Sequence, residues 1–198
     1  MVLGLAGTLV CGYLAQQILQ SVWALHGEAC FGWREVDVGL SLTAVGIASA
    51  LVQGGLIRVA MPRLGERRAL LVGLAFSVAG YVAFGAATRD WMFYAIIFPF
   101  ALGGLAGPAT QSLISRQVGP SEQGEIQGTL ASLMSMTAIV GPLLGTNLFA
   151  RFSPATASPR IPGAHFFAAA CLNACGLLLA ARLFARPPGA APAALPEG

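Results

Sequence analysis

Lysine is absent from this sequence, and only eight residues are acidic. All eleven basic residues are arginine, and charged residues make up 10% of the chain against 56% hydrophobic ones. A soluble domain carries about 25% charge because its surface faces water. The shortage therefore excludes a water-covered globule and a soluble enzyme with it. The net charge of +3 does not point to nucleic acid as a partner. The arginines fall singly or in short groups between apolar runs, as in the loops of a membrane protein.

Chemical signatures are also missing. The sequence contains no G-x-S-x-G, no H-E-x-x-H and no phosphate-cradling G-x-x-x-x-G-K-[ST]. Its four cysteines form neither C-x-x-C nor a Cys/His metal spacing, so no metal or cofactor is expected and the thiols read as buried packing. His26 falls in an expected loop and His165 at the start of the last apolar run, neither near a carboxylate or nucleophile at an informative spacing. No catalytic residue is expected. The start lacks the basic segment of a signal peptide and runs straight into a long apolar stretch. A truncated or split protein is the expectation that follows.

What is present is hydrophobic length. Mean hydropathy is +0.74. About 20 apolar residues in a helix span a bilayer, and six stretches qualify: Val2 to Leu25, Val38 to Ile57, Ala69 to Ala87, Trp91 to Ile114, Ile126 to Ala150 and Ala164 to Leu183. They hold no Asp, Glu or Lys, and the one Arg inside them, Arg182, is next to the end of the last. In lipid each must satisfy its backbone internally, so each is predicted to be a helix. Residues 1–185 then form an all-α unit of six transmembrane helices, and residues 186–198, rich in Pro and Ala, form a disordered cytoplasmic tail.

Short loops make neighbouring helices antiparallel and place both termini on one side. That side carries Arg58, Arg63, Arg67, Arg68, Arg116, Arg182 and Arg186, the other Arg34, Arg89, Arg151 and Arg160. The arginine bias predicts cytoplasmic termini in the inner (plasma) membrane. Gly103–Gly107 and Gly141–Gly145 have the spacing that lets helix backbones approach closely. Pro99 and Pro108 are expected to interrupt the fourth helix and Pro142, after Gly141, the fifth, which allows either tight packing or bending.

Polar residues inside the helices are costly unless satisfied. Gln16, Gln17, Gln20 and Ser21 form a band on the first helix, with Trp23 beyond it; Ser49 and Gln53 repeat a four-residue spacing on the second. Thr110 and Gln111 follow on the fourth, and Ser132, Ser135 and Thr137 on the fifth. Either these residues hydrogen-bond helix to helix or they line a cavity for a polar-aromatic solute. Gln17, Gln20, Trp23, Gln53, Gln111 and Ser135 are the cavity candidates.

The turn Arg63-Leu64-Gly65-Glu66-Arg67-Arg68 resembles the loop motif of the major facilitator superfamily. Gly65-Glu66-Arg67-Arg68-Ala69-Leu70, Ala87-Thr88-Arg89-Asp90-Trp91-Met92, Ser115-Arg116-Gln117-Val118, Gln127-Gly128 and Ile139-Val140-Gly141-Pro142-Leu143-Leu144 resemble its tetracycline-efflux branch of drug/proton antiporters. Gln17, Trp23 and Phe31-Gly32-Trp33 are similar too. The resemblance runs along nearly the whole chain. It implies the carboxy-terminal six-helix half of a twelve-helix transporter, built as two three-helix inverted repeats. The implied partners are the lipid bilayer, a small-molecule substrate and a missing amino-terminal half, with a proton gradient as the energy source. Arg63, Gly65, Arg67 and Arg68 would form a cytoplasmic hinge and latch, and Gly141 and Pro142 a helix break. The tetracycline pumps carry an Asp where this chain has Phe76 and a His where it has Ser49. A proton carrier is accordingly expected in the missing half, and the substrate is left open. A non-transporting fragment, or a membrane-embedded assembly module, is the alternative.

Overall fold

A backbone in hydrocarbon has no water to pair with, so its polar groups must close on themselves. The computed structural model, which describes residues 1–119, 121–154 and 156–185, answers with six helices long and apolar enough to cross a membrane. They are α1 (Val2–Phe31), α2 (Glu35–Leu64), α3 (Glu66–Ala86), α4 (Asp90–Ser115), α5 (Gln123–Phe152) and α6 (Ala164–Ala185). The expected tail, 186–198, lies outside the described residues.

The helices outlast the apolar runs. The thirty residues of α1, α2 and α5 measure about 45 Å against roughly 30 Å of hydrocarbon, so charged residues such as Glu28, Glu35 and Arg151 sit beyond the apolar stretch. Two expectations change as a result. His26 belongs to α1 and not to a loop, and Cys30 lies in the same helix. That helix stops at Gly32, whose positive φ of 69° lets its N–H reach the Glu28 carbonyl while the Trp33 N–H reaches that of Gly27. The basic segment before Arg68 is also mostly helical: Met61–Leu64 ends α2, Glu66 begins α3, and Gly65 alone makes the turn at φ 74°, ψ 159°. Only glycine adopts that geometry without strain.

The helix breaks differ from expectation too. The fourth helix changes to a 3₁₀ stretch at Leu102–Leu105, between Pro99 and Pro108. By contrast α5 continues as regular α-helix through Gly141 and Pro142, so the expected break is absent. Packing explains this. A Cβ on Gly141 would collide with Gln17 of α1, and one on Gly145 would meet Ser21 Oγ at 2.6 Å and the Ile18 carbonyl at 3.1 Å. The two helices are held straight against each other. The second small-residue spacing works at one position only: Gly103 of α4 sits over Ser77 and Gly73 of α3, while Gly107 has open space. Cys171 and Cys175 are exposed on α6 and are not buried packing.

The neighbours repeat a pattern. α1 packs on α5 and α6, α3 on α4 and α6, and α2 on α4. Exchanging α1 with α4, α2 with α5 and α3 with α6 turns this set of neighbours into itself, as two three-helix repeats require. Side chains fill two cores. One gathers Ile18, Trp23, Trp33, Phe84, Phe93 and Phe166 at the end away from the termini. The other gathers Leu5, Leu70, Leu74, Ile114 and Ala180 at the termini end.

Helices in lipid gain from van der Waals fit more than from the hydrophobic effect, so overfilling the α1–α5 seam is costly. Gly145→Leu is expected to lower the thermal stability of the detergent-solubilised chain by about 1–3 kcal/mol. Gly128→Leu, where a Cβ meets nothing, is expected to leave it nearly unchanged in the same scan.

Candidate functional site

Between the two cores lies a cavity of about 570 Å³. Gln16, Gln20 and Trp23 of α1 form one wall, Val45, Ser49 and Gln53 of α2 the second, and Ser77 and Tyr81 of α3 the third. Phe100, Gly104 and Thr110 of α4 close the fourth side, with Asn173 of α6 behind. Its rim residues Gln20, Leu42, Gln53, Gly104 and Pro108 are exposed, so it is a cleft open to the surface.

The lining is held in place before any ligand arrives. Trp23 is buried, and its indole Nε1 donates to Ser41 Oγ at 2.9 Å, which donates on to the Val38 carbonyl at 2.7 Å. Phe84 meets the indole edge-on at 5.3 Å and Phe93 lies tilted at 5.2 Å. Tyr81 donates to Gln16 Oε1 at 3.3 Å and packs edge-on against Phe100 at 5.0 Å. Asn173 Oδ1 is buried without a partner among the described residues. A π turn at Val52–Leu56 carries Gln53 and packs against the 3₁₀ stretch of α4, where a Cβ placed on Gly104 would lie 4.0 Å from the Gln53 side chain. Such turns recur at functional sites.

Among the described residues, no charged side chain lines the cavity. Amides, hydroxyls and aromatic faces offer stacking and hydrogen bonds to a neutral or weakly charged amphiphile, within the usual volume of a small-molecule site.

Of the six cavity candidates, the fold brings Gln20, Trp23 and Gln53 together on this lining. Gln17 lies about 100° around α1 from Gln16 and faces Gly141 of α5 instead. Gln111 is exposed beside Thr110, which does reach the cavity. Ser135 is exposed on α5, a helix absent from the lining, and its Oγ donates back to the Ala131 carbonyl at 2.9 Å. Tyr81, Ser77 and Asn173 escaped the sequence reading. The i, i+3, i+7 spacing of Leu74, Ser77 and Tyr81 was the available signal for α3.

At the termini end, Glu66 receives Arg116 Nη2 at 2.9 Å and the Ser112 hydroxyl, tying the first turn of α3 to the end of α4. The guanidinium of Arg67 lies over the Phe184 ring at 5.5 Å and ties α3 to α6. Arg63 and Arg68 are exposed. Glu66 is thus the anchor of this segment, a role the arginine-centred reading missed. Phe76 is exposed on α3 and does not line the cavity, whereas Ser49 does.

The chain matches the family model of the Major Facilitator Superfamily over residues 2–198. It is 42% identical over 137 residues to the tetracycline resistance protein, class C, of Escherichia coli, covering 69% of this chain and 35% of that protein. The class G protein of Vibrio anguillarum is 40% identical over 136 residues, 69% of this chain and 35% of that protein. Hippocampus abundant transcript-like protein 1 of Homo sapiens is 26% identical over 145 residues, 73% of this chain and 29% of that protein. The chain thus spans about a third of the length of these curated relatives.

Single cysteines placed in a background lacking Cys11, Cys30, Cys171 and Cys175 read the lining directly. Gln16→Cys, Ser49→Cys and Gln53→Cys are expected to react with a membrane-impermeant maleimide in reconstituted chain, and Gln17→Cys to stay unlabelled. Equal labelling at positions 16 and 17 would contradict the placement of the cleft.

Proposed function

The chain belongs to the Major Facilitator Superfamily, and on that premise we propose that it is the carboxy-terminal half of an efflux transporter, exporting a small amphipathic compound against proton entry. The observation that carries this reading is the open, uncharged cleft bounded by α1, α2, α3 and α4. It supplies one wall of a substrate site, and an amino-terminal six-helix half would supply the other. In this reading Gln20, Trp23 and Gln53, joined by Gln16, Tyr81 and Asn173, select the solute by stacking and hydrogen bonding.

α2 and α5 are the least buried helices of the bundle. They carry Leu40, Ile47, Leu51, Met136, Ile139 and Leu143 outward, apolar surface suited to lipid and to a second half. The arginine-richer side faces the cytoplasm of the inner membrane, with Gly65 as hinge and the Glu66–Arg116 pair, Arg63, Arg67 and Arg68 as latch. Relatives of this chain are tetracycline resistance proteins, but its substrate need not be theirs: among the described residues no carboxylate lines the cleft.

Substrate-dependent proton movement in everted vesicles tests the proposal, with the chain expressed alone and with a six-helix amino-terminal half. Transport only with the partner is the expected result. Transport by the chain alone would replace the half-transporter with a self-assembled one, and silence in both would leave a membrane-embedded assembly module. In the active assembly, Trp23→Ala is expected to weaken binding of an aromatic amphiphile about tenfold, or ~1.4 kcal/mol, by equilibrium dialysis, with Ser135→Ala unchanged.

A further inference from the structure

The two ends of the bundle settle their charge differently. At the end away from the termini, Arg34, Arg89, Arg151 and Arg160 are matched by Glu28, Glu35, Asp37 and Asp90, four against four. At the termini end, Arg58, Arg63, Arg67, Arg68, Arg116 and Arg182 stand against only Glu66, Glu122 and Glu125 among the described residues. Glu66 is already committed, since it receives Arg116 and the Ser112 hydroxyl. Arg67 is held over the Phe184 ring. That leaves Arg58, Arg63 and Arg68, all exposed and without an ion-pair partner among the described residues.

The same stretch carries apolar side chains that nothing covers. Between the π turn and Gly65, the end of α2 has no buried residue, and Val59 and Leu64 are 49% and 36% exposed. At about 100° per residue, Ile57, Ala60, Met61 and Leu64 fall within one narrow arc of the helix, and Arg58 and Arg63 lie outside it. Met61 packs on the core at the termini end. A basic amphipathic segment of this kind belongs at the surface of a membrane. None of these residues lines the cleft.

Charge and apolar surface together select the ligand. A guanidinium presents paired donors that match a phosphate bidentately, and every basic residue of this chain is arginine. An anionic bilayer surface adds about fivefold in affinity for each basic residue that reaches it. The exposed Val59 and Leu64 are satisfied by an acyl chain, which neither inorganic phosphate nor a water-soluble acidic peptide supplies.

We propose that Arg58, Arg63 and Arg68, with Val59 and Leu64, bind an anionic phospholipid, the arginines holding its phosphate and the end of α2 its acyl chains. The site straddles the joint where Gly65 alone connects α2 to α3. A bound headgroup therefore ties the two helices across their turn. The site depends on the chain spanning a membrane and not on transport, so silence in the vesicle assay leaves it standing.

The test is native mass spectrometry of the full chain released from nanodiscs that hold equal amounts of phosphatidylglycerol and phosphatidylcholine. Phosphatidylglycerol is expected to be retained in preference. That preference should be lost in the triple variant Arg58→Gln/Arg63→Gln/Arg68→Gln and persist in Arg89→Gln/Arg151→Gln at the other end, with helix content checked by circular dichroism. Equal retention of the two lipids by the unaltered chain, or an unchanged preference in the triple variant, would overturn the site; the arginines would then face solvent or an acidic protein. Val59→Gln/Leu64→Gln leaves the charge untouched and is expected to lower retention of the lipid, and unchanged retention would remove the acyl contact. Excess inorganic phosphate is expected to displace no more phosphatidylglycerol than chloride at equal ionic strength does. Full displacement by phosphate alone would make a free anion the ligand and overturn the lipid.

Discussion

Everything in this molecule follows from where the backbone hydrogen bonds can go. Six segments bury their own N–H and C=O groups as helices because hydrocarbon offers no other partner. Once that is settled, helix association has to come from fit between surfaces. The fit is made by glycine: Gly141 and Gly145 let α5 lie on α1, and Gly73 and Gly103 let α4 lie on α3. Those two seams leave α2 and the far face of α1 standing apart, and the space between them is the cleft. The cleft is therefore a consequence of packing tightly elsewhere.

The side chains around that space divide between holding and offering. Ser41 spends its hydroxyl on Trp23 and the Val38 carbonyl, and Tyr81 spends its own on Gln16. These bonds fix the aromatic faces at low cost to later binding. Asn173 Oδ1 remains unspent. The uncharged lining also has a thermodynamic meaning: selectivity here comes from shape and hydrogen bonding, which salt screens far less than it screens ion pairs.

The number and type of the helices were legible because hydrophobic length is a local property. Their ends were not, since a helix continues into the interfacial region after the apolar run stops; this misplaced His26 outside α1 and the Arg63 segment outside α2. The cavity wall was half legible. Polarity marks Gln16, Gln17 and Gln20 alike, but which of them meets α5 and which meets open space depends on the neighbour that packs there. Ser135 looked like a free hydroxyl in sequence and is satisfied by its own helix. Tyr81 went unnoticed because a tyrosine in an apolar run reads as core. The π turn at Val52–Leu56 had only the Gly54-Gly55 pair to announce it.

The single-residue joint at Gly65 has a mechanical consequence. With one residue between α2 and α3, the two rods share a fulcrum and no slack. A rotation of about 5° there displaces the far end of a ~45 Å helix by ~4 Å, more than the gap needed to admit or shut out a water molecule. A small rotation at this turn would thereby be amplified into large travel at the opposite end of the helices.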